Sequence, residues 1–160
     1  VNEKISARVQ ERFGPAVLVA SEYSGELTLV IAKTSIVEVC QFLRDDPEMR
    51  FDSIRDICGA DYYRPEERYE VVYNLYSIPH RARVRLKVRV EESDLHVPTL
   101  TGVYAGAAWM EREAYDMYGI LFDGHPDLRR MYLPEEFEYY PLRKDFPLMG
   151  IPGSLPLPRK

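Results

Sequence analysis

The sequence predicts a two-layer α+β domain, with helices packed on one face of a mixed five-stranded sheet and an extended arm at the C-terminal end. Three observations carry this reading. Tyr69–Ile78 and Arg81–Glu91 face each other across Pro79-His80 as a long hairpin, three other segments repeat apolar residues at helical spacing, and regular periodicity stops after Gly119. The 160 residues suit one domain, and a domain of this size buries roughly 70% of its unfolded surface, enough for a real core. Residues 1–119 are expected to form the α+β core and residues 120–160 the arm.

The predicted element order is α-β-β-α-β-β-β-α. Asn2 can cap a first helix carrying Ile5, Val9 and Phe13 one turn apart, and Gly14-Pro15 ends it. Ala16–Ser21 and Leu27–Ala32 read as short strands joined through Ser24-Gly25. Ser35 and Glu38 are spaced as a capping box, in which each side chain satisfies the other's free backbone N–H. Ile36, Val39, Cys40 and Leu43 then form one apolar helical face, closed by Pro47. Ile54–Tyr63 is a third strand, weakened by Gly59.

In the second hairpin strand Ala82, Val84, Leu86, Val88 and Val90 share one face, and Arg81, Arg83, Arg85, Lys87 and Arg89 share the other. A last helix runs from about Tyr104 to Tyr118, with Val103, Ala107, Met110, Ala114 and Met117 as its apolar stripe. Gly119 stands where a left-handed C-terminal cap belongs. Beyond it, the prolines are dense but so are Phe, Tyr and Leu, so the segment is too apolar to stay in water. Such an arm needs a groove, on its own domain or on a neighbour.

Composition excludes several classes. The net charge of −5 and a pI near 5.3 argue against general nucleic-acid or acidic-membrane binding. No apolar run approaches the ~20 residues of a membrane span, and Val1-Asn2-Glu3-Lys4 does not read as a signal peptide. The two cysteines, Cys40 and Cys58, make no iron–sulfur or zinc set, and reduced thiols fit a cytoplasmic setting.

Three clusters could carry chemistry. Asp123, His125 and Asp127 alternate in a way that suits the metal site of a stand-alone hydrolase, although Pro126 stiffens the loop and a bracing role for the same residues is simpler. Glu111, Glu113 and Asp116 could act as general acid–base groups, but no nucleophile or phosphate loop accompanies them. A salt-bridged helix face, including an Arg112–Asp116 pair, is the plainer reading. The Arg81–Arg89 face could follow a phosphate backbone, yet the facing strand supplies Tyr and Glu, so a solvated face or a dock for an acidic partner fits better.

The run Glu111-Arg112-Glu113-Ala114-Tyr115-Asp116-Met117-Tyr118-Gly119-Ile120, followed by Gly124-His125-Pro126-Asp127-Leu128-Arg129-Arg130, resembles the signature of the 30-kDa subunit family (the C-subunit) of respiratory complex I, NADH-quinone oxidoreductase. Pro141-Leu142-Arg143-Lys144-Asp145-Phe146-Pro147 is similar to that family's second run. Tyr139-Tyr140 stand where many members carry Gly-His or similar residues. The resemblance implies a non-catalytic peripheral-arm subunit that braces a quinone-reducing module coupled to proton translocation.

It also implies no cofactor in this chain, with NADH, FMN, iron–sulfur clusters and quinone carried by other subunits. The expected partners are the 49-kDa type subunit (the D-subunit) and other peripheral-arm subunits, at the cytoplasmic face of the membrane, with no nucleic acid. Related complexes with other donors share such a subunit, among them ferredoxin-linked plastoquinone reductases, F420H2 dehydrogenases and membrane-bound hydrogenases. The residues expected to dock are Glu111, Arg112, Glu113, Asp116, Gly119, His125, Asp127, Arg129, Arg130, Arg143, Lys144 and Asp145. Arg129, Arg130, Arg143 and Lys144 are expected to pair with groups of the partner, while Phe122, Leu128, Leu142 and Phe146 fill its apolar pockets.

Overall fold

The computed structural model describes residues 2–151. Helix α1 (Asn2–Phe13) leads through a 3₁₀ turn into the antiparallel strands β1 (Val17–Tyr23) and β2 (Glu26–Ile31). Helix α2 (Ile36–Asp45) follows, then β3 (Ser53–Asp61), β4 (Tyr69–Ser77) and β5 (Ala82–Val90). Helix α3 (Ala107–Tyr118) lies between two three-residue strands, β6 (His96–Pro98) and β7 (Leu121–Asp123).

The five-stranded sheet has the order β1-β2-β5-β4-β3. It is mixed because β2 and β5 run parallel, Leu29 opposite Leu86, while its other neighbours are antiparallel. The alternation of β5 sets the register. Val84, Leu86, Val88 and Val90 are buried with Val71, Tyr73 and Leu75 of β4, and they meet Ile5 and Val9 of α1 and Val39 and Leu43 of α2. Helix α3 packs beside β3, close enough that a Cβ on Gly59 would lie 2.5 Å from the Tyr118 ring. Gly59 is therefore a point of close helix approach, not only a weak spot in a strand.

Several local expectations need correction. Asn2 does not cap α1; it lies within the helix and its side-chain amide donates to the Gly25 carbonyl, tying α1 to the β1–β2 turn. The Ser35–Glu38 capping box does not form, because Ser35 closes a 3₁₀ turn whose N–H already donates to Ala32. Helix α3 starts at Ala107, with Tyr104 in the preceding turn donating its hydroxyl to the Phe51 carbonyl.

The C-terminal segment is also not a free arm. Leu121–Asp123 pairs in parallel with His96–Pro98, and Ile120 and Phe122 belong to the core. A strand of three residues is too short to show alternation, so it left no periodic trace. Residues 152–160 of the expected arm fall outside the described residues.

Candidate functional site

Helix α3 is buried on two sides. Ala107 and Ala114 face the core, as their small apolar side chains require, but Glu111, Arg112 and Asp116 are buried as well. Ionised groups reach such positions only when they are paired and hydrogen-bonded. Each has found partners in the irregular backbone that flanks the helix.

Asp116 is fully buried and faces the segment that follows β7. Its Oδ2 accepts the consecutive backbone N–H groups of Met131, Tyr132 and Leu133 at 3.0, 2.6 and 3.1 Å. Its Oδ1 receives Arg130 Nη1 at 2.8 Å. Burial alone would raise this carboxyl, but the three amides and the guanidinium outweigh it and hold the group below the ordinary aspartate range. Arg130 also donates to the Tyr139 carbonyl and lies over the Tyr140 ring.

Arg112 was expected to pair with Asp116. It turns instead to the carbonyls of Arg129 and Arg130, at 3.1 and 3.0 Å, and lies against Trp109. Thus one helix residue binds the acceptors of the segment while the next turn binds its donors. Glu111 serves the other flank, taking the Leu100 N–H at 2.7 Å and the Thr99 hydroxyl. Here burial prevails, and the carboxyl is pushed above the ordinary glutamate range despite those two bonds.

The second motif is fixed on the same domain. Gly119 ends α3 at φ +77°, the left-handed conformation expected of it. A Cβ there would lie 2.7 Å from both the Tyr140 ring and Arg143, so the site also needs glycine for space. Arg143 donates to the Tyr118 carbonyl at 2.7 Å, capping the helix end, and lies over the Tyr140 ring. The Lys144 N–H donates to Asp61, and Asp145 pairs with Arg68 at 3.1 Å. Asp61 also receives Arg68 at 2.8 Å; its carboxyl, which burial alone would raise, is held at about 2 by Arg68 and the Lys144 and Tyr63 amides.

For Arg130 and Arg143 the partners are therefore inside this chain. Arg130 and Arg143 bind their own helix, Phe122 fills the chain's own core, and Leu128 packs against it. The groove that the apolar segment needs is supplied largely by α3 and β3. Of the expected docking residues, Glu113, Asp127, Arg129, Lys144 and Asp145 keep exposed side chains, with Arg129 paired to its neighbour Asp127. Trp109, Tyr132, Tyr139, Leu142, Leu148 and Met149 add exposed apolar surface around them.

The alternative chemical readings lose their geometry. His125 Nε2 lies 2.9 Å from the Ala108 carbonyl, and its Nδ1 accepts the Asp127 N–H at 3.0 Å, so both ring nitrogens are engaged by backbone. Asp123 meets His96, and Asp127 meets Arg129. His125 is a brace between α3 and its following loop, as the simpler sequence reading had it. Among the described residues no group of three His, Cys, Asp or Glu side chains could hold a metal ion. Glu111, Glu113 and Asp116 do not converge, since Glu111 points to Thr99, Asp116 to residues 130–133, and Glu113 is exposed.

Residues 29–152 match the family described as the respiratory-chain NADH dehydrogenase, 30 Kd subunit. The chain belongs to that family. The NADH-quinone oxidoreductase C-subunit of Roseiflexus sp. (strain RS-1) is 46% identical over 147 residues, covering 92% of this chain and 84% of its own. The second C-subunit of the same enzyme in Rhizobium meliloti (strain 1021) is 50% identical over 143 residues, covering 89% and 78%.

Among solved structures, a trypsin-resistant fragment of Nqo5 superposes with a TM-score of 0.66 at 32% identity, covering 79% of this chain and 98% of the fragment. A chain of the membrane-bound sulfane sulfur reductase, an archaeal respiratory membrane complex, gives 0.76 at 21% identity, covering 92% and 86%, a likeness of fold. Family membership accounts for the two sequence runs. In this 30 Kd subunit fold both runs converge on the C-terminal end of α3, where Gly119, Arg130 and Arg143 meet around Tyr140. No helix among the described residues is long and apolar enough to cross a membrane.

Proposed function

We propose that the chain is a structural subunit of the peripheral arm of NADH-quinone oxidoreductase, holding no cofactor and catalysing nothing alone. It supports a module in which neighbouring subunits carry electrons from NADH to quinone, coupled to proton translocation. It docks on the 49-kDa type subunit (the D-subunit) at the cytoplasmic face of the membrane, and reaches the membrane only through the complex.

One observation carries the reading: the buried charges of the family motif are engaged in shaping the C-terminal segment. Asp116, Arg112 and Arg143 hold residues 128–146 against α3. The exposed side of that segment presents Tyr132, Tyr139 and Leu142 in a fixed arrangement. Apolar side chains pre-ordered on a rigid support suit a permanent interface, because their ordering entropy is already lost before docking. Exposed Arg129 and Lys144 add a polar rim.

The test is co-purification from a host that makes the whole complex, using a tagged chain with Tyr132→Glu and Leu142→Glu together. Both side chains are exposed, so the isolated variant should melt like the parent. It should recover far less of the 49-kDa type subunit. Parent-level recovery would remove this surface from docking. The purified chain should also be colourless and fail to oxidise NADH; a stoichiometric chromophore that survives a second column would overturn the cofactor-free assignment.

A further inference from the structure

All three helices lie on one side of the sheet, and the opposite face is open. This face carries the cations of β5, and they divide into two groups. Toward Glu70 they are neutralised internally. Lys87 pairs with Glu70 at 3.0 Å, Arg64 reaches the same carboxylate at 3.1 Å, and Arg89 reaches Glu67 at 3.0 Å. Burial would raise the Glu70 carboxyl, but Lys87 and Arg64 hold it below its usual range.

The other end is different. Arg55 lies 4.6 Å from the centre of the Tyr76 ring, and Arg83 lies 6.0 Å from it. Neither guanidinium has a carboxylate within ion-pairing distance among the described residues. Arg85, next along β5, is shared between Glu26 at 2.7 Å and Asn74 at 3.2 Å. These three arginines and Tyr76 line a groove of about 550 Å³ on the open face.

The placement of Arg55 has a structural cause. Ile54 is opposite Leu75 and Asp56 is opposite Asn74, so Arg55 is the extra residue of a β-bulge. A bulge re-aims a side chain and turns the strand locally. Here it leaves both Arg55 and Asp56 exposed, with no ion pair between them. A tyrosine ring under a guanidinium holds the planar fork in place without neutralising it, and such a fork matches a carboxylate in bidentate fashion.

We propose that this groove, built on Arg55, Tyr76 and Arg83, is a docking site for an acidic, carboxylate-bearing segment of a partner protein. Charge complementarity selects that occupant. Two unpaired arginines stand together in a chain of net charge −5, and an approaching carboxylate adds ion pairs without displacing an internal one. The cations are interleaved with Glu26, Glu67 and Glu70, a pattern that repels a continuous phosphate backbone but admits spaced carboxylates. The site shares no residue with the proposed α3 docking surface, so each can fail alone.

The test uses the full chain and a fluorescein-labelled hexaglutamate peptide, followed by fluorescence anisotropy at low and moderate salt. The parent should bind the peptide in a salt-dependent manner and ignore hexaglutamine. The double variant Arg55→Gln, Arg83→Gln should weaken binding at least tenfold. The charge-matched control Arg12→Gln, Arg50→Gln, which removes two exposed cations outside this groove, should change it less than twofold. Equal losses in both variants would show only a net-charge effect and overturn the site. So would unchanged binding in the Arg55/Arg83 variant, or tighter binding of a single-stranded oligonucleotide of equal charge at moderate salt.

Discussion

The hairpin β4–β5 and the α3–arm unit contain similar charged residues and use them in opposite ways. On the hairpin, Arg83, Arg85, Lys87 and Arg89 face outward while the apolar partner face does the packing. Arg83 has no ion pair, and those of Arg85, Lys87 and Arg89 each keep at least one partner partly exposed and contribute little to stability. On α3, Glu111, Arg112 and Asp116 are themselves part of the interior and their hydrogen bonds hold two irregular segments in shape. In the first region charge follows from the fold; in the second, the fold depends on charge.

That contrast can be broken at its strongest point by ending the chain after Gly119. The truncation removes Phe122 from the core, strand β7, and every hydrogen-bond partner of Asp116 beyond the helix. The expected result is loss of a cooperative thermal melt. A division into a 1–119 core and a 120–160 arm docked on a neighbour implies the reverse, a core able to fold without its arm. A sharp melt near that of the full chain would restore that view.

Next in size, Asp116→Ala removes the buried acceptor of three backbone amides and of Arg130. Breaking a buried charged cluster from one side costs about 3–5 kcal/mol. Urea denaturation should show a lower midpoint with little change in slope. A loss below about 1 kcal/mol would mean that the cradle relaxes into water. Gly119→Val should follow, at about 1–3 kcal/mol for the left-handed backbone, with additional loss of the Tyr140 and Arg143 contacts read as increased proteolysis after residue 130.

A subtler separation comes from pH. Asp116 is held low, so its stabilisation is complete above the ordinary aspartate value of 3.8 and is lost as pH falls through the lower folded value. Glu111 is held high, so its contribution is complete below the ordinary glutamate value of 4.5 and is lost as pH rises through the raised folded value. Glu111→Gln removes only the second dependence. Its stability relative to the parent should therefore improve as pH climbs from 4.5 toward neutrality. A constant difference across that range would place the Glu111 titration elsewhere. At the bottom of the scale, Arg83→Gln on the open sheet face should change stability by less than about 0.5 kcal/mol.

The sheet and the three helices were legible because burial imposes a period. A strand with one wet face must alternate, and Ala82 to Val90 does so without a fault. Gly119 was legible because few residues tolerate its backbone angle. The interior of the α3–arm unit was not. A buried aspartate and a solvated one are the same letter, and the groups that satisfy Asp116 lie about fifteen residues later on backbone without periodicity. Amide donors are present at nearly every position, so they leave no mark in composition. The available signal was indirect: a proline-rich stretch too apolar for water, next to a helix with more carboxylates than its exposed face needs. The bulge at Arg55 was equally silent, since inserting one residue changes pairing without changing residue type.

The position of Asp116 in the chain gives it a role in time as well as in space. A ribosome delivers this aspartate before residues 130–133, the groups that neutralise it and fill its acceptor sites. Until they emerge, helix α3 carries a carboxylate that belongs in water and cannot settle in its final place. The same late residues create the surface proposed to meet the neighbouring subunit. A product stalled or clipped before Arg130 thus lacks both its internal seal and its adhesive side, so folding to completion and readiness for assembly arrive as one event.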